Sequence, residues 1–143
     1  FAGLAGTEYV EEFTPGDFLI KNILGADPGS GAVVIGGIPR IGQTLQYQIR
    51  DRSVALGDLD RAFSIPGETL EQAFGALLFP CVARRGGFFE ANDSDATRFD
   101  KVLGGLPLTG FLCNGEIAPV RGHNALHSHT AAGAVLIEQP PSL

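Results

Sequence analysis

Alternating apolar and polar residues predict β-strands in the first third of the chain. In "TLQYQIRD", residues 44–51, Leu45, Tyr47 and Ile49 alternate with polar residues. This period of two predicts a strand with one face in the core. Two further apolar runs, "DFLIKNILG" and "AVVIGG", are joined by the turn-rich "ADPGSG". They predict a β-hairpin.

Helical spacing of apolar residues follows in two places. In "SVALGDLDRAF", residues 53–63, the apolar positions recur about every four residues, and Ser53 is placed to act as the N-cap. In "SDATRFDKVLGG", residues 94–105, Ser94 is the expected N-cap and Gly104-Gly105 the expected end. The intervening "IPGETLEQ" predicts a loop or a short helical turn.

Three more apolar runs predict the remaining strands. They are "GALLFPCVAR", in which Pro80 marks an edge or a bulge, "PLTGFLCNGEIAPV" and "AAGAVLIEQ". The pattern predicts a single α+β domain, with a largely antiparallel or mixed sheet of about six or seven strands and two main helices. We expect residues 1–16 to be a lead-in, 17–139 the domain and 140–143 a tail.

Composition narrows the classes of function. The 143 residues are 44% hydrophobic and 18% charged, with a formal net charge of -6. The lack of a basic face argues against nucleic-acid binding, and no apolar run approaches the roughly 20 residues of a membrane span. Without a secretion signal we expect a cytoplasmic protein with free thiols at Cys81 and Cys113. Because the sequence has no methionine, we expect it to be part of a longer protein.

Three polar segments interrupt the apolar chain: residues 50–52, 81–85 and 114–129. Each is expected at a strand end, where loops on a rigid scaffold commonly carry binding groups. Within them Arg50, Arg84 and Arg121 are candidate carboxylate-binding residues, because a guanidinium group can bind both oxygens.

Other kinds of chemistry remain open for the same segments. If residues 127–129 are extended, the imidazoles of His127 and His129 leave the same face and can converge on a metal. Cys81 beside two arginines could be an activated thiol. The structural alternative is that these polar groups satisfy buried backbone.

Taken together, the three segments resemble the C-terminal domain of the FIST family. The resemblance rests on "LLFPCVARRG", on the Phe-x-Cys-Asn-Gly-Glu-Ile-x-Pro run, on the Asn-x-Leu-His-x-His-Thr run and on the preceding "QYQIRD". It extends from about Phe18 to Ile137. Pro80 and an inserted Pro-Gly near residue 66 depart from the family pattern.

The resemblance implies a non-enzymatic sensory domain that binds a small, amino acid-like ligand without a cofactor. It also implies an N-terminal FIST domain and an output domain or protein as partners. The alternatives are a haem sensor that uses His127 or His129, an enzyme that depends on a metal or Cys81, and a scaffold without a ligand. The ligand-binding residues implied are Arg50, Asp51, Cys81, Arg84, Asn114, Gly115, Glu116, Asn124, His127 and His129.

Overall fold

The computed structural model describes residues 1–6, 12–14, 16–90, 94–120 and 122–138. The predicted α+β class is confirmed, with ten strands and three α-helices among these residues. The predicted turn residue Pro15 and the tail 140–143 lie outside them. The elements are β1 (Ala2–Ala5), β2 (Phe18–Lys21), β3 (Ile23–Asp27), β4 (Ala32–Ile35), β5 (Leu45–Tyr47), α1 (Arg52–Ala62), α2 (Gly67–Glu71), β6 (Ala73–Pro80), α3 (Asp95–Leu103), β7 (Leu108–Gly110), β8 (Glu116–Val120), β9 (His123–His127) and β10 (Ala131–Ile137), with one 3-10 turn at Val82–Arg84.

The strands are shorter and more numerous than the sequence predicts, and they form four small sheets in the described part of the chain. The run 17–25 divides between β2 and β3, and the run 107–120 divides between β7 and β8. Apolar runs mark where strands can form, but where pairing stops depends on partners distant in sequence.

Contacts group the chain into two compact units. Unit 1 comprises Phe1–Arg50 and Ile117–Ser128, and unit 2 comprises Asp51–Glu116 and His129–Leu143.

Unit 1 is built on the three-stranded sheet β2-β1-β5, and it also contains the β3-β4 hairpin that the sequence predicts. The central strand, β1, lies in the segment that we expected to be a lead-in. It pairs antiparallel with a strand on each side, and Ala2, Leu4 and Ala5 are buried. Pairing on both sides therefore makes this segment the centre of the sheet.

The expectation that β5 presents one face to the core is wrong. The three apolar residues of the alternating pattern, Leu45, Tyr47 and Ile49, are 40%, 65% and 88% exposed. The alternation is real, but the residues of unit 1 that the structure describes leave the apolar side chains of this segment exposed. A period of two shows that a strand has an apolar side, and not what packs against it.

Unit 2 holds the main hydrophobic core. Helices α1 and α3 contribute Phe63 and Phe99, whose rings stack 4.4 Å apart, together with Leu59 and Leu103. The sheet of this unit has the order β10-β6-β7, antiparallel on one side of β6 and parallel on the other. Pro80 marks neither an edge strand nor a bulge, because it is the last residue of the central strand.

Local capping explains where the two longer helices begin. Ser94 accepts a hydrogen bond from the Thr97 N–H and caps α3, and Gly104 ends it in a left-handed conformation, as the sequence predicts. The expected cap of α1 is wrong, because Asp51, and not Ser53, accepts from the Val54 N–H. The Ser53 hydroxyl instead donates to the Asp51 carboxylate.

Replacing Gly110 by alanine should strongly destabilise unit 2. A Cβ atom at Gly110 would lie 1.7 Å from the Leu78 carbonyl oxygen, so β6 and β7 could not stay paired. We expect a loss of about 3 kcal/mol in urea unfolding. Gly57→Ala is the control, because a Cβ atom there has nothing within 4 Å and should add up to about 1 kcal/mol of helix stability. Equal effects of the two changes would contradict this account.

Candidate functional site

The ten candidate residues divide between the two units. Arg50, Asn124 and His127 belong to unit 1. Arg121, another candidate from the sequence, lies outside the described residues. The other seven candidates belong to unit 2, namely Asp51, Cys81, Arg84, Asn114, Gly115, Glu116 and His129.

Arg84 occupies the centre of a buried polar cluster in unit 2. Its Nε atom lies 2.9 Å from Asp95 Oδ2 and its Nη2 atom 2.8 Å from Asp95 Oδ1. Its Nη1 atom donates to the carbonyl oxygen of His129 at 3.1 Å, and the guanidinium packs over the Phe89 ring at 5.0 Å. The fork that was expected to bind a ligand carboxylate thus binds a carboxylate of the chain itself.

Glu116 is the second charged centre of unit 2 and is 2% exposed. Its Oε1 accepts from the Gly115 N–H at 3.2 Å. Its Oε2 accepts from the Thr130 hydroxyl at 3.0 Å and more weakly from the Thr130 N–H at 3.4 Å. Because a buried carboxylate is costly without hydrogen bonds, these donors account for its placement.

Both centres act on the same two residues. His129 is the one non-glycine residue with positive φ in the described ranges, at 64°. Its carbonyl is bound by Arg84, and the following residue, Thr130, is bound by Glu116. The Cys81 N–H also donates to the Thr130 carbonyl at 2.8 Å. We call this arrangement the clamp. It consists of Arg84, Glu116 and the Cys81 amide, which together bind His129 and Thr130.

The left-handed His129 overturns the expected His-x-His geometry. His127 ends β9 in an extended conformation, but His129 does not continue it, so the two imidazoles do not leave one face of a strand. The Nε2 atom of His127 lies 3.1 Å from the Ala118 carbonyl oxygen. Within the described residues, no three His, Cys, Asp or Glu side chains gather in a way that could hold a metal.

The remaining candidates have local roles or face solvent. The Ser53 hydroxyl, and then the Val54 N–H, lower the pKa of Asp51 below its usual range. The ionised carboxylate caps α1 best above about pH 4, and its contribution is lost as the pH falls through the lowered pKa. Asn114 and Asn124 are exposed.

Unit 1 contains an open apolar cleft of about 340 Å³. The stem of Lys21 lies beside Gly37, one of the lining residues, with its Cγ 3.2 Å from where a Cβ atom at Gly37 would stand. The Lys21 Nζ atom lies 3.4 Å from the Leu126 carbonyl oxygen. The cleft is lined by Val33, Val34, Ile35, Gly37, Pro39, Leu45 and Tyr47.

Sequence reasoning missed Asp95, Thr130 and the cleft. Asp95 follows the helix cap Ser94, so its acidic side chain is also explained by the helix N-terminus. Thr130 ends the Asn-x-Leu-His-x-His-Thr run that supports the family resemblance, so the motif itself was a usable signal for it. The apolar alternation of Leu45 and Tyr47 was a usable signal for the cleft, but it was interpreted as a core face.

A comparison with protein-family models decides the family. The FIST C domain model matches residues 2–119. The chain belongs to the FIST C domain family. This is a family of sensory domains, which fits a sensory role. The matched range includes Glu116 and the candidates before it, and it ends before Asn124, His127 and His129.

The FIST C match is accompanied by similarity to mycobacterial proteins. The chain is 43% identical over 141 residues to an uncharacterized protein of Mycobacterium tuberculosis strain H37Rv, and 40% identical to one of Mycobacterium bovis. Each alignment covers 95% of this chain and 36% of the relative, so the chain spans about a third of their length. No solved structure matches the chain. None of the helices in the described ranges is long and apolar enough to cross a membrane.

Breaking the Arg84–Asp95 pair should test the clamp energetically. Asp95→Ala leaves a buried guanidinium without its carboxylate, so we expect a loss of about 3–5 kcal/mol in urea unfolding. Asp58→Ala is the matched control, because it removes the carboxylate of the exposed Arg61–Asp58 pair and should cost less than about 1 kcal/mol. Similar losses of unfolding free energy in the two variants would show that the Arg84–Asp95 pair stabilises the fold no more than an exposed ion pair does.

Proposed function

We propose that this chain is the ligand-binding part of a non-enzymatic sensory protein, and that the ligand binds in the apolar cleft of unit 1. The ligand is a small molecule with an apolar body and a carboxylate, a class that includes amino acids with apolar side chains. The observation that carries this proposal is an open cleft with apolar walls, with the Lys21 stem beside Gly37, one of its lining residues.

The clamp is a poorer candidate for the ligand site, because its charged groups are already paired with other groups of the chain. Arg84 is bound to Asp95, and both oxygens of Glu116 accept hydrogen bonds from the chain. A zwitterionic ligand at those residues would have to displace these partners in a buried place, at the cost of leaving charged groups unpaired. The cleft is lined mainly by aliphatic side chains and one tyrosine, so a ligand there would displace only the exposed hydrogen bond from Lys21 to the Leu126 carbonyl and no buried ion pair.

The dimensions and chemistry of the cleft suit a small ligand. Its volume falls at the lower end of the range of roughly 300–1,000 Å³ for small-molecule sites. Val34 and Tyr47, 58% and 65% exposed, provide apolar surface that a ligand would cover. The Lys21 ammonium would pair with the carboxylate after exchanging its hydrogen bond to the Leu126 carbonyl.

A partner surface also belongs to the proposal. Ile38 and Ile41 of unit 1 are three residues apart in sequence and almost fully exposed, and exposed apolar patches are typical of interaction sites. The mycobacterial relatives are nearly three times as long as the matched region, so we assign this surface to another domain of such a longer chain. Ligand binding would be passed on through that contact.

The ligand assignment is tested by thermal unfolding and calorimetry with L-leucine, L-phenylalanine and their amides. Ligand at 100 times its dissociation constant should stabilise the protein by about 2.7 kcal/mol. The amides lack the carboxylate and should bind at least about tenfold more weakly, because a charge-assisted hydrogen bond contributes about 1.5–3 kcal/mol.

Two pairs of variants locate the binding. Lys21→Gln should weaken the binding of the amino acid at least about tenfold, because the same charge-assisted hydrogen bond is lost. Lys101→Gln changes an exposed residue of α3 and should leave the affinity unchanged. Val34→Asp should abolish binding, whereas Val54→Asp, at a similarly exposed valine outside the cleft, should not. Binding that is insensitive to Lys21 and Val34, or no binding by either amino acid, would contradict the proposed function.

A further inference from the structure

The two cysteines lie directly opposite each other in unit 2. Cys81 and Cys113 form an isolated parallel β-bridge outside the named strands. The Cys113 N–H donates to the Pro80 carbonyl at 2.8 Å, and the Val82 N–H donates to the Cys113 carbonyl at 2.7 Å. These two bonds on either side of Cys81 define the register, so the cysteines are direct partners.

Direct pairing brings two cysteines within the reach of a disulfide. Paired strands lie about 4.8 Å apart, and side chains at directly opposed positions project from the same face. Disulfides span Cα separations of about 4.4–6.8 Å. Both thiols are free in this structure, and the Cys113 thiol makes only a weak bond, 3.6 Å from the Phe111 carbonyl oxygen. We infer that Cys81 and Cys113 are a redox modification site that forms a reversible intramolecular disulfide.

Exposure determines which thiol reacts first. Cys81 is 4% exposed, whereas Cys113 is partly exposed. The oxidant is a low-molecular-weight disulfide. The Cys113 thiolate attacks one of its sulfurs, forms a mixed disulfide and releases one thiolate. The Cys81 thiolate then attacks the Cys113 sulfur and releases the second. The protein loses two thiol protons and two electrons, and the oxidant is reduced to two thiols.

The disulfide would join two segments that supply the clamp. The Cys81 N–H binds the Thr130 carbonyl, and Cys113 precedes Gly115 and Glu116 in the motif. A covalent bond between them restricts the unfolded chain, so the oxidised protein should be more stable than the reduced protein. This inference does not depend on the proposed ligand site.

The test is oxidation by excess oxidised glutathione, followed by an acid quench, alkylation of free thiols and intact mass measurement. The wild-type protein should lose both thiols, carry no adduct, remain monomeric without reductant and show a raised melting temperature. Cys81→Ser should retain a glutathione adduct at Cys113, because no second thiol resolves it. Cys113→Ser should stay largely unmodified, because Cys81 is buried.

Several results would overturn the inference. They are a wild-type protein that keeps both thiols, one that accumulates adducts, and one that forms covalent dimers. Modification of Cys113→Ser as fast as of Cys81→Ser would contradict the order of attack. Circular dichroism checks the fold of each variant, and Cys81→Ala serves if serine is not tolerated in the buried position. The wild-type result decides the inference in either case.

Discussion

The chain between β9 and β10 passes through a left-handed histidine, and three polar groups from other segments bind the chain at this point. A non-glycine residue at φ 64° is conformationally costly, and it persists where surrounding contacts determine it. Here Arg84 binds the His129 carbonyl, Glu116 binds Thr130, and the Cys81 amide binds the Thr130 carbonyl. Arg84 is in turn oriented by Asp95 at the start of α3.

This constraint lies where the chain passes from one unit to the other. Glu116 is the last residue of unit 2 before residues 117–128 join unit 1, and His129 is the first residue after them. The Glu116–Thr130 hydrogen bond therefore links the two parts of unit 2 that flank segment 117–128. The FIST motif residues thus have a physical role in the fold that needs no ligand. For this reason we propose the open cleft of unit 1, and not the clamp, as the ligand site.

Some local features of this fold were predictable from the sequence, although the cap of α1 was wrongly placed at Ser53, and distant pairings were not predictable. The cap and end of α3 depend on Ser94 and Gly104, which act on residues a turn away, and both predictions are confirmed. The His-x-His prediction assumed an extended chain, and the left-handed His129 depends on three contacts from other segments. The apolar face of β5 was visible as alternation, but its exposure among the described residues was not.

The candidate site shows the same division. The family resemblance pointed to Arg84 and Glu116 as candidates, because each lies in a contiguous motif of its own, but it could not show that Asp95 and Thr130 bind them. Two cysteines allow a single pairing by arithmetic, yet only the bridge between Cys81 and Cys113 shows that they are neighbours. Which side chains from separate segments become neighbours is set by tertiary packing, and it cannot be predicted from a single sequence.

The most direct test of the clamp is a double-mutant cycle between Glu116 and Thr130, measured as free energies of unfolding in urea. Glu116→Leu, Thr130→Val and the double variant remove the carboxylate, the hydroxyl and both. Because the two side chains are hydrogen-bonded in a buried place, we predict a coupling energy of about 1 kcal/mol or more. Single-variant losses that add to within about 0.5 kcal/mol in the double variant would show that the residues are independent, and would contradict the account of the clamp.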